Sequence, residues 1–166
     1  MARLVLVGLP GTGKSTLARA LGEQWDCAVV DTDDAIALDV GVPAAQYLRE
    51  NGETAFRERE LEALRESLTT DGVVATGAGV VTIPEARDLL EAEFTVWLDC
   101  DDVIVLERVG DGERPLLGDD HAAALKDLRH RRESWYRQCA RARVDSGGSL
   151  EDVVRQVLGA VESFQS

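Results

Sequence analysis

The chain of 166 residues is 45% apolar and 30% charged, with a formal net charge of −13; this is the composition of a soluble globular protein with enough chain to bury a core as a single domain. So acidic a surface repels nucleic acid, which disfavours a DNA or RNA substrate and makes the position of each arginine informative. No apolar run approaches the roughly 20 residues needed to span a bilayer, the N-terminus has no signal-peptide layout, and a cytoplasmic location is expected.

An apolar, β-branched run at 3–7 reads as a first strand and feeds Gly8-Leu9-Pro10-Gly11-Thr12-Gly13-Lys14-Ser15-Thr16. The spacing G-x-x-x-x-G-K-[ST] between strand and helix is that of a phosphate-binding loop, and it implies a nucleoside triphosphate. Gly11 and Gly13 allow backbone angles that a Cβ would forbid, so successive N–H groups turn inward on a polyphosphate. The helix expected at 14–25 aims the positive end of its dipole at the same anion. Lys14 reaches the outer phosphates, and the Ser15 hydroxyl is placed to ligate Mg²⁺.

A second buried strand is expected at 27–31, with Asp31-Thr32-Asp33-Asp34 at its carboxyl end capping a helix from residue 35. In an extended segment Asp31 and Asp33 fall on one side of Thr32. One carboxylate then holds the Mg²⁺ shell and the other orients an acceptor hydroxyl, although capping alone would need just one of them. A short helix at 44–50 and a longer amphipathic one at 53–68 follow. Arg57 lies on the latter, where an arginine by itself is more often solvated, and Glu60 at i+3 could fix its guanidinium.

A third strand at 73–76 ends in Gly77-Ala78-Gly79, which offers either a close backbone approach or a simple turn. Pro84 suits the first turn of a helix running to 92. A strand at 94–99 and a helix at 101–109 come next, and then a polar, glycine-rich stretch with Arg114. That stretch has the composition of a mobile lid able to swing a cation over the phosphates, and Arg108 just before it could stack on a base. A long basic helix is expected at 121–139, then a short strand near 143–145 and a last helix capped by Ser149.

Arg129, Arg131, Arg132, Arg137, Arg141 and Arg143 form a basic run, mostly solvated or paired, in which Tyr136-Arg137 could reach an acidic substrate. Cys27, Cys100 and Cys139 are scattered and read as reduced, buried thiols without a role. Strands separated by helices imply an α/β fold with a parallel sheet covered on both faces. The chemically odd residues lie at the carboxyl ends of its strands, where ligands collect.

In this order and spacing the phosphate-binding loop, Asp31-Thr32-Asp33, Gly52-Glu53 with Phe56-Arg57 and Glu60, Thr76-Gly77-Ala78-Gly79-Val80-Val81, Arg114-Pro115-Leu116-Leu117 and Tyr136-Arg137 resemble the shikimate kinases. The resemblance covers nearly the whole chain. It implies a P-loop kinase fold with a five-stranded parallel sheet, a substrate-binding helical segment at about 33–60 and a lid at about 110–120. It also implies transfer of the γ-phosphate of ATP to the 3-hydroxyl of shikimate, with Mg²⁺ as cofactor. By position, Gly11, Thr12, Gly13, Lys14, Ser15, Thr16, Arg108 and Arg114 would bind the nucleotide, and Ser15 and Asp31 would hold the metal. Asp33, Arg57, Gly77, Ala78, Gly79 and Arg137 would bind shikimate, and Lys14, Asp33 and Arg114 would be catalytic. The family usually has three consecutive glycines where this chain has Gly77-Ala78-Gly79. If the middle residue needs a positive φ, alanine is strained there; if not, its methyl narrows the pocket. The alternatives are a kinase for another hydroxylated carboxylate such as gluconate, and a nucleotide-binding regulatory module without acceptor activity. A monomer is expected.

Overall fold

The computed structural model describes residues 1–109 and 120–166. Five parallel strands form one sheet in the order β2-β3-β1-β4-β5: β1 (Leu4–Val7), β2 (Ala28–Asp31), β3 (Gly72–Ala75), β4 (Thr95–Asp99) and β5 (Ala142–Asp145). Helices α1 (Lys14–Trp25), α2 (Thr32–Val40), α3 (Ala44–Asn51), α4 (Glu53–Ser67), α5 (Pro84–Ala92), α6 (Asp102–Val109), α7 (His121–Cys139) and α8 (Leu150–Gln165) connect or flank the strands.

The alternation of β1 decides the layering. Val5 and Val7 pack with residues of α4, α5, α6 and α7 on one face, whereas Leu4 and Leu6 pack with α1 and α8 on the other. A strand buried on both faces reads as the unbroken apolar run seen here. Ile36, Phe56 and Ala63 form a third, smaller core among α2, α3 and α4, so this helical segment is held by its own packing beside the sheet.

The second strand departs from expectation. It is an edge of the sheet, and Ala28 and Val29 are exposed. The acidic turn after it is also not extended: α2 begins at Thr32, with Asp31 as its N-cap and Asp33 already in the first turn.

β1 lies at the centre, and the chain crosses first to β2 and later back to β4 on its other side. The crevice at such a reversal of strand order is where open α/β sheets bind ligands, and the loop after β1 opens into it. Among the described residues no helix is long and apolar enough to cross a membrane.

Candidate active site

At the carboxyl ends of β1, β2 and β3 lies a cleft of about 550 Å³, lined by the loop from Pro10 to Thr16, by Asp31 and Asp33, by Arg57 and Glu60, by Gly77, Ala78 and Gly79, and by Arg108. The loop has the left-handed conformation that its glycines were expected to supply: φ is +77° at Gly11 and +93° at Gly13, and Gly13 is the N-cap of α1. The Lys14 ammonium is drawn back into the loop, donating to the carbonyls of Gly8 (2.8 Å) and Leu9 (2.9 Å).

Asp31 does two things at once. Its Oδ1 accepts from the backbone N–H of Asp33 (2.9 Å) and of Asp34 (3.3 Å) and so starts α2, while its Oδ2 accepts from the Ser15 hydroxyl. A hydroxyl and a carboxylate in contact beside a phosphate-binding loop are hard oxygen donors that fit Mg²⁺, a cation that takes few protein ligands and keeps several waters. Arg108, from α6, donates to the carbonyls of Thr12 (3.4 Å) and Ser146 (2.6 Å) and closes the far side of the loop.

The other half of the cleft is built on α4 and the turn after β3. The Arg57 guanidinium pairs with Glu60, which is 1% exposed, and with Glu53 at 3.2 Å. Burial pushes the Glu60 carboxyl up while Arg57 pulls it down, and Asp33 opposes its ionisation. The turn is glycine at both ends for reasons of space. A Cβ at Gly77 would overlap Glu60 and stand 3.0 Å from Asp33 Oδ1, and one at Gly79 would overlap the Arg57 guanidinium. Ala78 between them has no positive φ. Its methyl is therefore unstrained, and it lines the cleft.

Arg137 does not join this cluster. It projects from the outer face of α7, 69% exposed, where it pairs with Glu133 at 3.2 Å and lies over the Trp97 ring. The buried arginine of α7 beside Arg57 is Arg132 instead. This residue is 3% exposed, and its Nη1 has no hydrogen-bond partner among the described residues. Burial pushes its guanidinium down, the Tyr136 hydroxyl counteracts this, and the neighbouring Arg57 adds to the lowering. Arg57 Nε is likewise buried without a partner. Two neighbouring guanidiniums, of which Arg57 alone is paired with the buried Glu60 carboxylate, thus keep buried donors without a partner among the described residues, and buried donors of this kind call for an explanation.

The signal for Arg132 was in the sequence. Leu125, Leu128, Arg132, Tyr136 and Cys139 recur at spacings of three and four, so the arginine stands in the buried stripe of α7. A cation there is paired or used. Arg114 and residues 110–119 of the lid expected at about 110–120 lie outside the described residues.

A family model described as shikimate kinase matches residues 10–162. The shikimate kinase of Mycobacterium avium (strain 104) is 40% identical over 147 residues, 87% of this chain and 84% of that protein. The shikimate kinase of Corynebacterium diphtheriae is 34% identical over 165 residues, 98% of this chain and 95% of that protein. Among solved structures, shikimate kinase from Acinetobacter baumannii in complex with shikimate superimposes with a TM-score of 0.92 at 30% identity, covering 96% of this chain and 92% of that one.

Proposed function

The chain belongs to the shikimate kinase family, and we propose that its cleft carries the ATP-dependent phosphorylation of the 3-hydroxyl of shikimate, giving shikimate 3-phosphate and ADP for aromatic amino-acid biosynthesis. One observation carries the reading: a phosphate-binding loop and the Arg57–Glu60 pair line the same cleft, with Asp33 lining it as well.

The nucleotide phosphates lie on the N–H groups of Gly11 to Thr16 at the N-terminus of α1. Lys14 exchanges the Gly8 and Leu9 carbonyls for phosphate oxygens as ATP enters. Ser15 and Asp31 would hold Mg²⁺, which when bound would neutralise charge on the phosphate oxygens. Arg108 borders the base, and Arg114 supplies a further cation to the transferring group. On the acceptor side Arg57 and Arg132 take the carboxylate, in place of the Arg57 and Arg137 pair that the resemblance implied. Each charge-assisted bond is worth roughly 1.5–3 kcal/mol. Asp33 aligns the acceptor hydroxyl and receives its proton as the γ-phosphoryl group passes in line from the leaving ADP oxygen to the acceptor oxygen.

The same reading has the protein working as a cytoplasmic monomer. Its exposed large apolar residues, such as Leu38, Val103 and Phe164, are scattered over separate helices, and single exposed apolar side chains are normal on a monomer.

The test is ADP release by coupled assay with Mg-ATP and, in turn, shikimate, quinate and gluconate. Saturable turnover with shikimate, abolished by chelating the metal and reduced by orders of magnitude in Asp33→Asn, is the expected result. Equal turnover with all three acids, or none with shikimate while ATP still binds, would overturn the assignment of the acceptor.

A further inference from the structure

Tyr136 has no part in the chemistry above, yet it joins the two halves of the acceptor site. It stands on α7 one turn after Arg132, on the same face of the helix. Its side chain is 1% exposed, and its ring lies against Trp97 of β4 with centroids 6.1 Å apart and planes at 19°. Its hydroxyl donates to the Ala78 carbonyl at 2.6 Å and faces the Arg132 guanidinium, which supports its oxygen. Burial pushes the phenol well above its ordinary range, so it remains a protonated donor wherever the enzyme works.

The ends of the 77–79 turn are held by other bonds. The Gly77 N–H donates to Thr32 Oγ1 at 3.0 Å, and Thr82 Oγ1 donates to the Gly79 carbonyl at 2.7 Å. The peptide between Ala78 and Gly79 is the one that Tyr136 grips. A trans peptide is planar, and its C=O and N–H point in opposite directions; none of the described peptide bonds is cis. Holding the Ala78 carbonyl toward α7 therefore turns the Gly79 N–H away from α7, and both residues line the cleft.

Resting on the acceptor assignment above, we propose that Tyr136 is a positioning residue for the acceptor: its hydroxyl fixes the Ala78–Gly79 peptide so that the Gly79 N–H is presented to an oxygen of the bound hydroxy acid. The Arg132 guanidinium acts electrostatically on the Tyr136 oxygen, whose hydroxyl donates to the Ala78 carbonyl, and in a buried setting a neighbouring charge polarises such a hydrogen bond. The group that receives the acceptor's carboxylate thus also strengthens the grip on the turn that receives another of its oxygens.

Tyr136→Phe tests this, because it removes the hydroxyl and keeps the ring on Trp97. The shikimate KM should rise about fivefold to tenfold, the scale of one net hydrogen bond, with the KM for ATP and kcat within about twofold. Leu125→Ala, a cavity in the same helix, serves as the control: it should lower the melting temperature and leave both KM values in place. A second readout needs no substrate. In the free protein the Gly79 amide should give one sharp ¹H–¹⁵N resonance that broadens or splits in Tyr136→Phe. Failure of the wild type to turn over shikimate would strike the acceptor assignment, and the amide resonance would still judge the grip on the turn. An unchanged Gly79 resonance, a fall in kcat at constant KM, or equal rises in both KM values would overturn the proposal.

Discussion

The guanidinium of Arg57 occupies the space that a side chain on Gly79 would fill, so that a Cβ built there overlaps Nη1, Nη2 and Cζ. Gly79 has φ −91° and ψ 0°, a conformation open to residues with a Cβ. Glycine is needed here for the arginine's sake and not for the backbone's. Gly79→Ala should therefore fold normally, push Arg57 off Glu60 and raise the shikimate KM by about tenfold or more, the cost of one displaced charge-assisted bond. The KM for ATP should stay the same. Gly13→Ala would behave in the opposite way, since φ of +93° at the N-cap of α1 strains any L side chain. Steady-state kinetics with each substrate varied separates the two variants, and an unmoved shikimate KM in Gly79→Ala would remove Arg57 from the acceptor site.

Arg132 and Arg137 offer a direct comparison within one helix. Arg132 is buried beside a second cation with Nη1 unsatisfied, an arrangement that costs stability in the absence of a ligand. Arg132→Met should raise the melting temperature of the free protein and weaken shikimate binding by about 10-fold to 150-fold, the equivalent of one charge-assisted bond. Arg137→Ala, which breaks an exposed pair with Glu133, should change binding by less than about twofold. The check is calorimetric titration with shikimate together with thermal melts. Comparable losses in the two variants would return Arg137 to the site.

These two arginines also mark the limit of what the sequence discloses. Five positions along an α-helix amount to a turn of about 140°, so Arg137 and Arg132 lie on different sides of α7, the first exposed and the second buried. The nucleotide half was legible because the spacing of Gly8, Gly13, Lys14 and Ser15 fixes a local backbone, and Gly11 and Gly13 have the positive φ this requires. Asp31 could not be read as capping alone because its two oxygens accept from different partners, one from the Asp33 N–H and the other from the Ser15 hydroxyl. The run ending in Val29-Val30 looks like a buried strand, yet β2 is an edge. Strand order depends on where crossovers land, and periodicity does not encode that. Ala78 was ambiguous for a related reason: whether its methyl costs anything depends on a φ that no single residue dictates.

The three thiols should differ sharply in reactivity. Cys100 and Cys139 are buried, whereas Cys27 is half-buried. Burial pushes the Cys100 thiol up and the Cys139 thiol up to about 11, which leaves little thiolate at neutral pH. In the native protein a disulfide reagent should titrate one thiol rapidly, and Cys27→Ser should abolish that phase. Denaturant should then release the other two. Rapid modification of two or more thiols in the folded protein would contradict the packing around α5 and α7.

Asp99 sets an acid limit on the fold. It ends β4 and accepts from Arg129 Nη1 at 2.8 Å and from Arg143 Nε at 2.8 Å, while Arg129 also holds Asp102 at 2.8 Å and the Cys100 carbonyl at 2.6 Å. Burial by itself would raise the Asp99 carboxyl, but the hydrogen bonds and charges of the two guanidiniums outweigh it and hold the group below the usual carboxylate range. A carboxyl whose folded value lies below its unfolded value contributes stability that is complete above the unfolded value of about 4, and the contribution is lost as pH falls through the folded value. Asp99→Asn should therefore melt below the wild type at neutral pH. The gap should persist down to about pH 4 and close below it, because the wild-type carboxylate is then neutralised as well. Melting temperatures of both proteins across that range read the difference directly, since the other carboxylates are common to both. A gap that stayed constant into strong acid would mean that Asp99 contributes by packing and hydrogen-bond geometry alone, with no share from its charge.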